Sequence, residues 1–341
     1  MLYTSLPSPR PTLFFAHAIS DPKNNGARNV KILILGGSGQ IGTMLARAFV
    51  TEGHEVVVIS RQPATKPWRV VAWDALSAEC EGADIVINLA GRSVNCRYNA
   101  ANRSEIVDSR VQTTNAVGEA IARAKRPPRV WLQMSTATIY AHRYDAANDE
   151  DGIIGGEEPN VPETWRFSIG VAKAWEEAAM SHELPQTRIV LLRAAMTMSP
   201  DSGGVFDTLL GLVRHGLGGR SGDGRQFVSW IHEMDFIRAI RWLIENETLS
   251  GPVNLAAPNP LPNTDFMRAL REAWGTRIGL PAAEWMLGIG AIVLRTETEL
   301  VLKSRRVIPG RLTQSGFNFE FPTWPEAARE LCERWRKSRQ K

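Results

Sequence analysis

Val30 to Gly42 reads V-K-I-L-I-L-G-G-S-G-Q-I-G, and the reading of this stretch decides the fold. Five of the six residues before the first glycine are apolar and three are β-branched, which suits a strand buried on both faces of a parallel sheet. Gly36, Gly39 and Gly42 follow at a spacing of three, and Gly37, Gly39 and Gly42 also satisfy G-x-G-x-x-G. Beyond them Met44, Leu45, Phe49 and Val50 repeat on one face of a helix. The glycines therefore stand where a strand turns into a helix, the context in which this motif carries meaning. Glycine lets the backbone approach a pyrophosphate closely, and a helix N-terminus offers free N–H groups and a positive dipole end. The stretch predicts dinucleotide binding by Gly36, Gly37, Ser38, Gly39, Gln40, Ile41 and Gly42. A tight strand-to-helix turn without a ligand is the plainer alternative.

Outward from this turn, Glu55–Ser60 reads as the second strand. An NAD site usually carries Asp or Glu at its end to bond the ribose 2′-hydroxyl. Here Ser60-Arg61 stands instead, with Lys66 nearby. A carboxylate would repel a 2′-phosphate, whereas a guanidinium can grip it with two hydrogen bonds, so NADP is the expected cofactor. Val70–Ala72 is a short third strand, after which Asp74 is a candidate for the adenine amino group. Ile85–Asn88 is the fourth, leading into Leu89, Ala90 and Gly91, small enough to let the backbone lie along a cofactor. A helix is expected over Ser104–Ala124, stopped by Pro127-Pro128. Val130–Met134 is the fifth strand, followed by Thr136 and Tyr140. Tyr144–Pro162 reads as a polar loop, Gly170–Ser181 as a helix carrying Lys173, and Arg188–Arg193 as the sixth strand.

The alternation then breaks. Ser199–Gln226 is glycine-rich and reads as a mobile segment. Trp230–His232 suggests a short strand, Phe236–Ile244 a helix and Val253–Ala256 a last sheet strand. Thr264–Trp274, Ala282–Leu294 and Pro325–Trp335 read as helices. The pattern is α/β: a Rossmann-type doubly wound parallel sheet with a smaller C-terminal substrate lobe. The expected division is a disordered extension over 1–29, an NADP-binding domain over 30–198, and a lobe over 199–341 that returns one strand (about 253–256) to the sheet.

Composition narrows the function classes. Apolar residues are 43%, charged residues 22%, and the net charge of +4 is small and spread out, which gives no support to a nucleic-acid partner. Cys80, Cys96 and Cys332 lie far apart without C-x-x-C, so neither a disulfide framework nor a zinc site is suggested and a reducing, cytoplasmic setting is expected. In the extension, Ala16-His17-Ala18 resembles a signal cleavage site, but the apolar run is short and only Arg10 precedes it. No run approaches the ~18 apolar residues of a membrane span. Trp285–Leu294 is about half that length and reads as a core helix.

These residues resemble an extended short-chain dehydrogenase/reductase, and more narrowly the atypical epimerase family similar to nucleotide-sugar epimerases, with its characteristic C-terminal domain. The resemblance runs from Val30 to about Pro325. It rests on G-G-S-G-Q-I-G, V-I-S-R, N-L-A-G, E-I-V-D-S-R-V-Q-T-T, W-E-E-A-A, G-L-G-G, F-V-S-W-I-H-E-M-D-F, G-P-V-N-L-A-A-P, R-V-I-P and G-F-N-F-E-F-P. It implies NADP contacts at the glycine turn, at Ser60-Arg61, at Leu89-Ala90-Gly91, at Glu105 and Arg110, and near Thr197. Read as residues alone, Glu105 and Arg110 are a charge pair on a solvated helix.

The broader superfamily pairs a Ser/Thr with Tyr-x-x-x-Lys, whose spacing stacks both side chains on one helical face. There the lysine lowers the phenol pKa so that it can exchange a proton with the substrate oxygen. Thr136 matches the Ser/Thr and Lys173 the lysine, which would also hold the nicotinamide ribose. Four residues before Lys173 stands Ile169, and no tyrosine of this chain precedes a lysine by four. Tyr140 is the first replacement candidate; Tyr144, His142 and the Cys96–Tyr98 loop are others. His232 and Asp235 read as a helix-start network, and no metal is expected. The expectation is an NADP-dependent oxidoreductase or epimerase, a monomer or homodimer, acting on a small polar, sugar-like molecule. The alternative is a catalytically degenerate NADPH-binding sensor or partner-binding protein.

Overall fold

The computed structural model describes residues 29–61, 65–282 and 299–340. Its sheet contains β1 (Lys31–Leu35), β2 (Glu55–Ile59), β3 (Arg69–Val71), β4 (Ile85–Asn88), β5 (Val130–Thr136), β6 (Arg188–Ala194) and, much later, the strand Gly251–Leu255, here β10. All are parallel, in the order β10-β6-β5-β4-β1-β2-β3. The chain reverses its winding between β1 and β4, which lie side by side with Leu35 opposite Asn88. A ligand crevice opens at such a point, outside the carboxyl ends of the strands.

β1 shows why this sequence makes a two-faced sheet. Ile32, Leu33, Ile34 and Leu35 are all fully buried, with alternate residues in different cores. Ile32 and Ile34 pack with Leu45 and Phe49 of α1 (Gln40–Thr51) and with Phe236 and Ile240 of the later helix Glu233–Glu245, here α6. Leu33 and Leu35 pack on the opposite face with Leu76 and Cys80 of α2 (Leu76–Cys80) and Val117 and Ile121 of α3 (Ala100–Arg123). α4 (Glu163–Met180) lies beside α3.

After β6 the chain builds a second core. It contains Phe206 and Leu210 of α5 (Val205–Arg214), Phe266 and Leu270 of α7 (Asn263–Trp274), and Trp324 and Leu331 of the last helix, Trp324–Arg339, here α10. Trp230 of β9 (Trp230–His232) joins them, and β9 pairs with β7 (Met196–Met198). Short β8 (Phe227–Val228) pairs with β11 (Leu261–Pro262). β10 belongs instead to the main sheet and α6 packs on one face of it, and α8 (Glu299–Leu302) and α9 (Gly310–Gln314) carry the chain back to α10.

Several elements differ from the sequence reading; α3 begins at Ala100 rather than Ser104 and α6 at Glu233 rather than Phe236. The segment over 199–226 contains the ten-residue helix α5, started at Gly204, whose apolar face fills the second core. α4 begins at Glu163 rather than Gly170, because Phe167 and Ile169 before the glycine already pack inward. The expected extension through residue 28 and the helix over Trp285–Leu294 lie outside the described residues. Among the described residues no helix is long and apolar enough to cross a membrane.

Candidate active site

The glycines of the turn divide the work. Gly36 has φ +73, and a Cβ there would lie 2.8 Å from Ala90 Cα, so this position is closed to other side chains by backbone on two counts. A Cβ on Gly42 would lie 2.4 Å from Gly37 Cα, so this glycine lets α1 close onto the turn. Gly39 differs: its Cβ would meet only Gly36 O, at 3.6 Å. It is the N-cap of α1, no side chain caps the helix, and the first backbone bond runs from Thr43 N–H to Gly39 O. Gly39 N–H donates to Gly36 O at 3.2 Å, and the Gln40, Ile41 and Gly42 N–H groups are left to a ligand at an open, electropositive helix end. This geometry fits a pyrophosphate.

Beside the turn, the Asn88 side chain accepts from Ala90 N–H at 3.1 Å and donates to Gln133 at 2.9 Å, fixing the Leu89–Gly91 backbone. Ser60 is buried with its N–H on Val71 O, while Arg61, just past the end of β2, and Lys66 are exposed. No carboxylate pairs with Arg61 among the described residues, and Asp74 is exposed at the end of β3. Thr197 on β7 has a buried hydroxyl with no hydrogen-bond partner. These positions follow the carboxyl ends of β1, β2, β3, β4 and β6, the side of the sheet on which its order predicts a crevice.

At the carboxyl end of β5 a cavity of about 120 Å³ opens between α3 and α4. Thr136 and Thr138 form its floor, Ile106 and Arg110 of α3 one wall, and Phe167, Ser168, Val171 and Trp175 of α4 the other. Val94, Tyr98, Glu299 and Arg305 complete it. Thr136 Oγ1 accepts from Thr138 N–H at 3.2 Å, which leaves its own O–H for another acceptor. Ser168 donates to the buried Glu299 carboxylate and lies 3.5 Å from Tyr98 OH. Arg305 donates to Thr138 Oγ1 at 3.1 Å and stands 3.7 Å from Glu299.

Three expected residues stand elsewhere. Tyr140 is 2% exposed; its OH donates to Asn254 Oδ1 at 2.8 Å and accepts from Arg193 at 2.9 Å. Burial raises its pKa to about 12, and its hydrogen-bonding capacity is spent within the core, so it is not the proton donor. Lys173 is exposed against the Gly156 turn, about half a helical turn away from the cavity-lining face of α4. With Ile169 and Gly156 it lines a different pocket, and it is not among the residues that border Thr136. The four-apart pair of α4 that lines the cavity is Phe167 and Val171, neither able to move a proton. Glu105 is exposed on α3 and pairs with Arg92, away from the cavity.

Other candidates have local duties. His142 accepts from Ser304 N–H at 2.8 Å, and burial lowers its pKa. Tyr144 packs edge-on against that ring. His232 caps α6 by accepting from Met234 N–H and contacts Glu330, while Asp235 takes the N–H groups of Glu320 and Phe321 at 2.8 Å each. These two form the helix-start network that their sequence context suggests. Among the described residues no three His, Cys, Asp or Glu side chains are grouped to hold a metal.

The sequence reading missed Ser168, Glu299 and Arg305, and it included Tyr98 only within a loop. Ser168 looks like any small helical residue, and Glu299 joins it from 131 positions away. Arg305 adjoins the R-V-I-P motif, the one local signal that pointed to this segment.

A model for the NAD dependent epimerase/dehydratase family matches residues 32–256, and a domain of unknown function (DUF1731) matches 283–331. The chain is 32% identical over 308 residues to the human epimerase family protein SDR39U1, covering 89% of this chain and 99% of that one. It is 29% identical over 301 residues to the Bacillus subtilis epimerase family protein YfhF, covering 86% and 94%. The crystal structure of human SDR39U1 (isoform 2) with NADPH superposes with a TM-score of 0.78 at 31% identity, again covering 89% and 99%. A matching family model over most of the sheet, together with relatives that span nearly the whole chain, agrees with the parallel order and the open glycine turn: the chain belongs to the NAD dependent epimerase/dehydratase family, on the extended short-chain dehydrogenase/reductase fold.

Proposed function

We propose that the protein is an NADP-dependent oxidoreductase or epimerase acting on a small polar molecule. One observation carries this reading: the Arg110 side chain packs against Gly91, at the strand end where the dinucleotide would lie, and also borders the Thr136 cavity. Gly36–Gly42 and Leu89–Gly91 would hold the pyrophosphate and ribose, with Asp74 toward the adenine and Thr197 toward the nicotinamide end. Ser60 and Arg61 would take the 2′-phosphate, a reading supported by the lack of any carboxylate at that strand end and by NADPH in the human relative's structure. A nicotinamide bound there supplies hydride acceptor and donor chemistry. Thr136 turns its free O–H toward the substrate oxygen and orients it. Tyr98, Ser168 and Glu299 form a string of hydroxyl, hydroxyl and carboxylate along which the proton of that oxygen moves, in place of Tyr-x-x-x-Lys.

Arg61→Asp tests the cofactor. Loss of a charged, hydrogen-bonded contact is worth about 1.5–3 kcal/mol, so NADPH binding should weaken ten-fold or more while NADH changes little. Equal titration curves for both cofactors on the unmodified protein would refute the assignment. Tyr98→Phe tests the proton path: with a substrate found by absorbance at 340 nm, turnover should fall about 10²–10⁴-fold. Phe167 and Val171 on the cavity face of α4 favour a second reading, NADPH binding without turnover. That reading predicts tight NADPH binding and no absorbance change with any metabolite panel.

A further inference from the structure

Arg110 is a buried cation of the cavity wall with no carboxylate beside it among the described residues. It is 9% exposed, one N–H donates to Ile106 O at 2.9 Å, and its guanidinium lies 4.8 Å from the Trp175 ring centre. No carboxylate pairs with it among the described residues. Burial lowers its pKa to about 10, which leaves it charged at neutral pH. An unpaired buried charge is costly, and a ring face offsets only part of that cost. The cavity's other charges are Arg305 and Glu299, which face each other at 3.7 Å and offset one another. The cavity therefore carries one uncompensated positive charge, on a planar group built for bidentate recognition of an oxyanion.

We propose that the cavity takes a carboxylic acid whose carboxylate pairs with Arg110 while the carbon to be oxidised or reduced sits at Thr136. Both residues border one space of about 120 Å³, so the carboxylate and the reacting carbon must be close neighbours in the substrate. This rests on the reading of Thr136 as the reacting end of an NADP site. A phosphate of the cofactor is the other source of negative charge in reach, because Arg110 also lies under Gly91.

The two sources separate in a titration of the full-length protein saturated with NADP⁺. Oxamate, a small monoanion, and oxamide, its neutral counterpart of similar shape, are added in separate calorimetric titrations. Oxamate should bind at least ten-fold more tightly than oxamide. Arg110→Met should abolish that preference, Arg110→Lys should keep part of it, and NADPH affinity should stay within about three-fold in both. Thermal unfolding of Arg110→Met verifies folding, and removal of an unpaired charge should not lower its midpoint. Equal or absent binding of the two probes overturns the proposal. So does a ten-fold loss of NADPH affinity in both Arg110 variants with oxamate binding unchanged, which would hand Arg110 to the cofactor. Either failure leaves the NADP reading standing as long as NADPH binding still depends on Arg61.

Discussion

Gly39 and Gly42 stand one helical turn apart in the same motif and serve different ends. A methyl group at Gly42 meets the Gly37 backbone at 2.4 Å, whereas at Gly39 it enters the open space in front of α1. Gly39 also has φ −74 and ψ 171, which any residue adopts. Gly39→Ala should therefore cost no more than the ~1 kcal/mol of a poorer N-cap, yet lower NADPH affinity by ten-fold or more. Gly42→Ala should unfold at a clearly lower temperature, because α1 must move off the sheet to admit the methyl group. Thermal melts with and without NADPH check both. Similar losses of stability in the two variants would show that Gly39 is also closed by packing.

α4 shows how two residues of helical spacing decide a role. Phe167, Ser168, Val171 and Trp175 turn toward the cavity; Lys173, two positions past Val171, turns toward the loop at Gly156. Lys173→Met should change stability by no more than ~0.5 kcal/mol, the usual range for a surface position, with NADPH affinity unaltered. Tyr140→Phe should behave in the opposite sense to a catalytic change. Its hydroxyl links Arg193 to Asn254, and Arg193 is also held by both oxygens of the buried Glu176, at 2.8 Å each. Removal leaves buried polar groups unpaired, at a cost of ~1–3 kcal/mol. Urea unfolding should register that loss while NADPH affinity per folded molecule stays constant.

At the scale of the whole molecule, the segment after α8 ties the C-terminal region to the loop after β5. Lys303 is 2% exposed and donates to Thr138 O at 2.7 Å; Asn148 N–H donates to Arg306 O, and Ile308 N–H to Asn148 O. Burial, followed by repulsion from Arg305, lowers the Lys303 pKa from 10.5 to about 8, against the opposing pull of Glu299 and Glu158. Between those two values the unfolded chain binds more protons than the folded one, so stability rises with pH across that window. Below about pH 8 the penalty for the buried charge is complete, and by about 10.5 it is gone. Lys303→Met should remove this dependence. In urea unfolding, the wild type should gain up to ~3 kcal/mol relative to the variant between pH 7.5 and 10.5. A difference that does not change with pH would show that the ammonium reaches solvent.

The parallel sheet, its winding and the dinucleotide turn were legible in the sequence because they are local. A strand buried on both faces, a glycine triplet and an amphipathic helix follow one another within 21 residues, Val30 to Val50, and each constrains the next through backbone geometry. Arg61 was legible for the same reason, since its place at a strand end follows from the strand. The other side of the site was not. Tyr140 follows β5 closely enough to suggest a catalytic role, but its direction is set by Arg193 and Asn254, the second of them 114 residues away. Lys173 matched the superfamily's lysine in the sequence, but the helical phase of α4 is fixed by packing against α3 rather than by the residues themselves. Glu299 and Arg305 arrive across more than 130 residues of chain to stand beside Ser168 and Thr138. The sequence by itself determined the strand, the glycine turn and the uncapped start of α1, through short-range backbone geometry; only tertiary packing decided which hydroxyls and charges face the cavity, because side-chain direction there is set by partners distant in the chain.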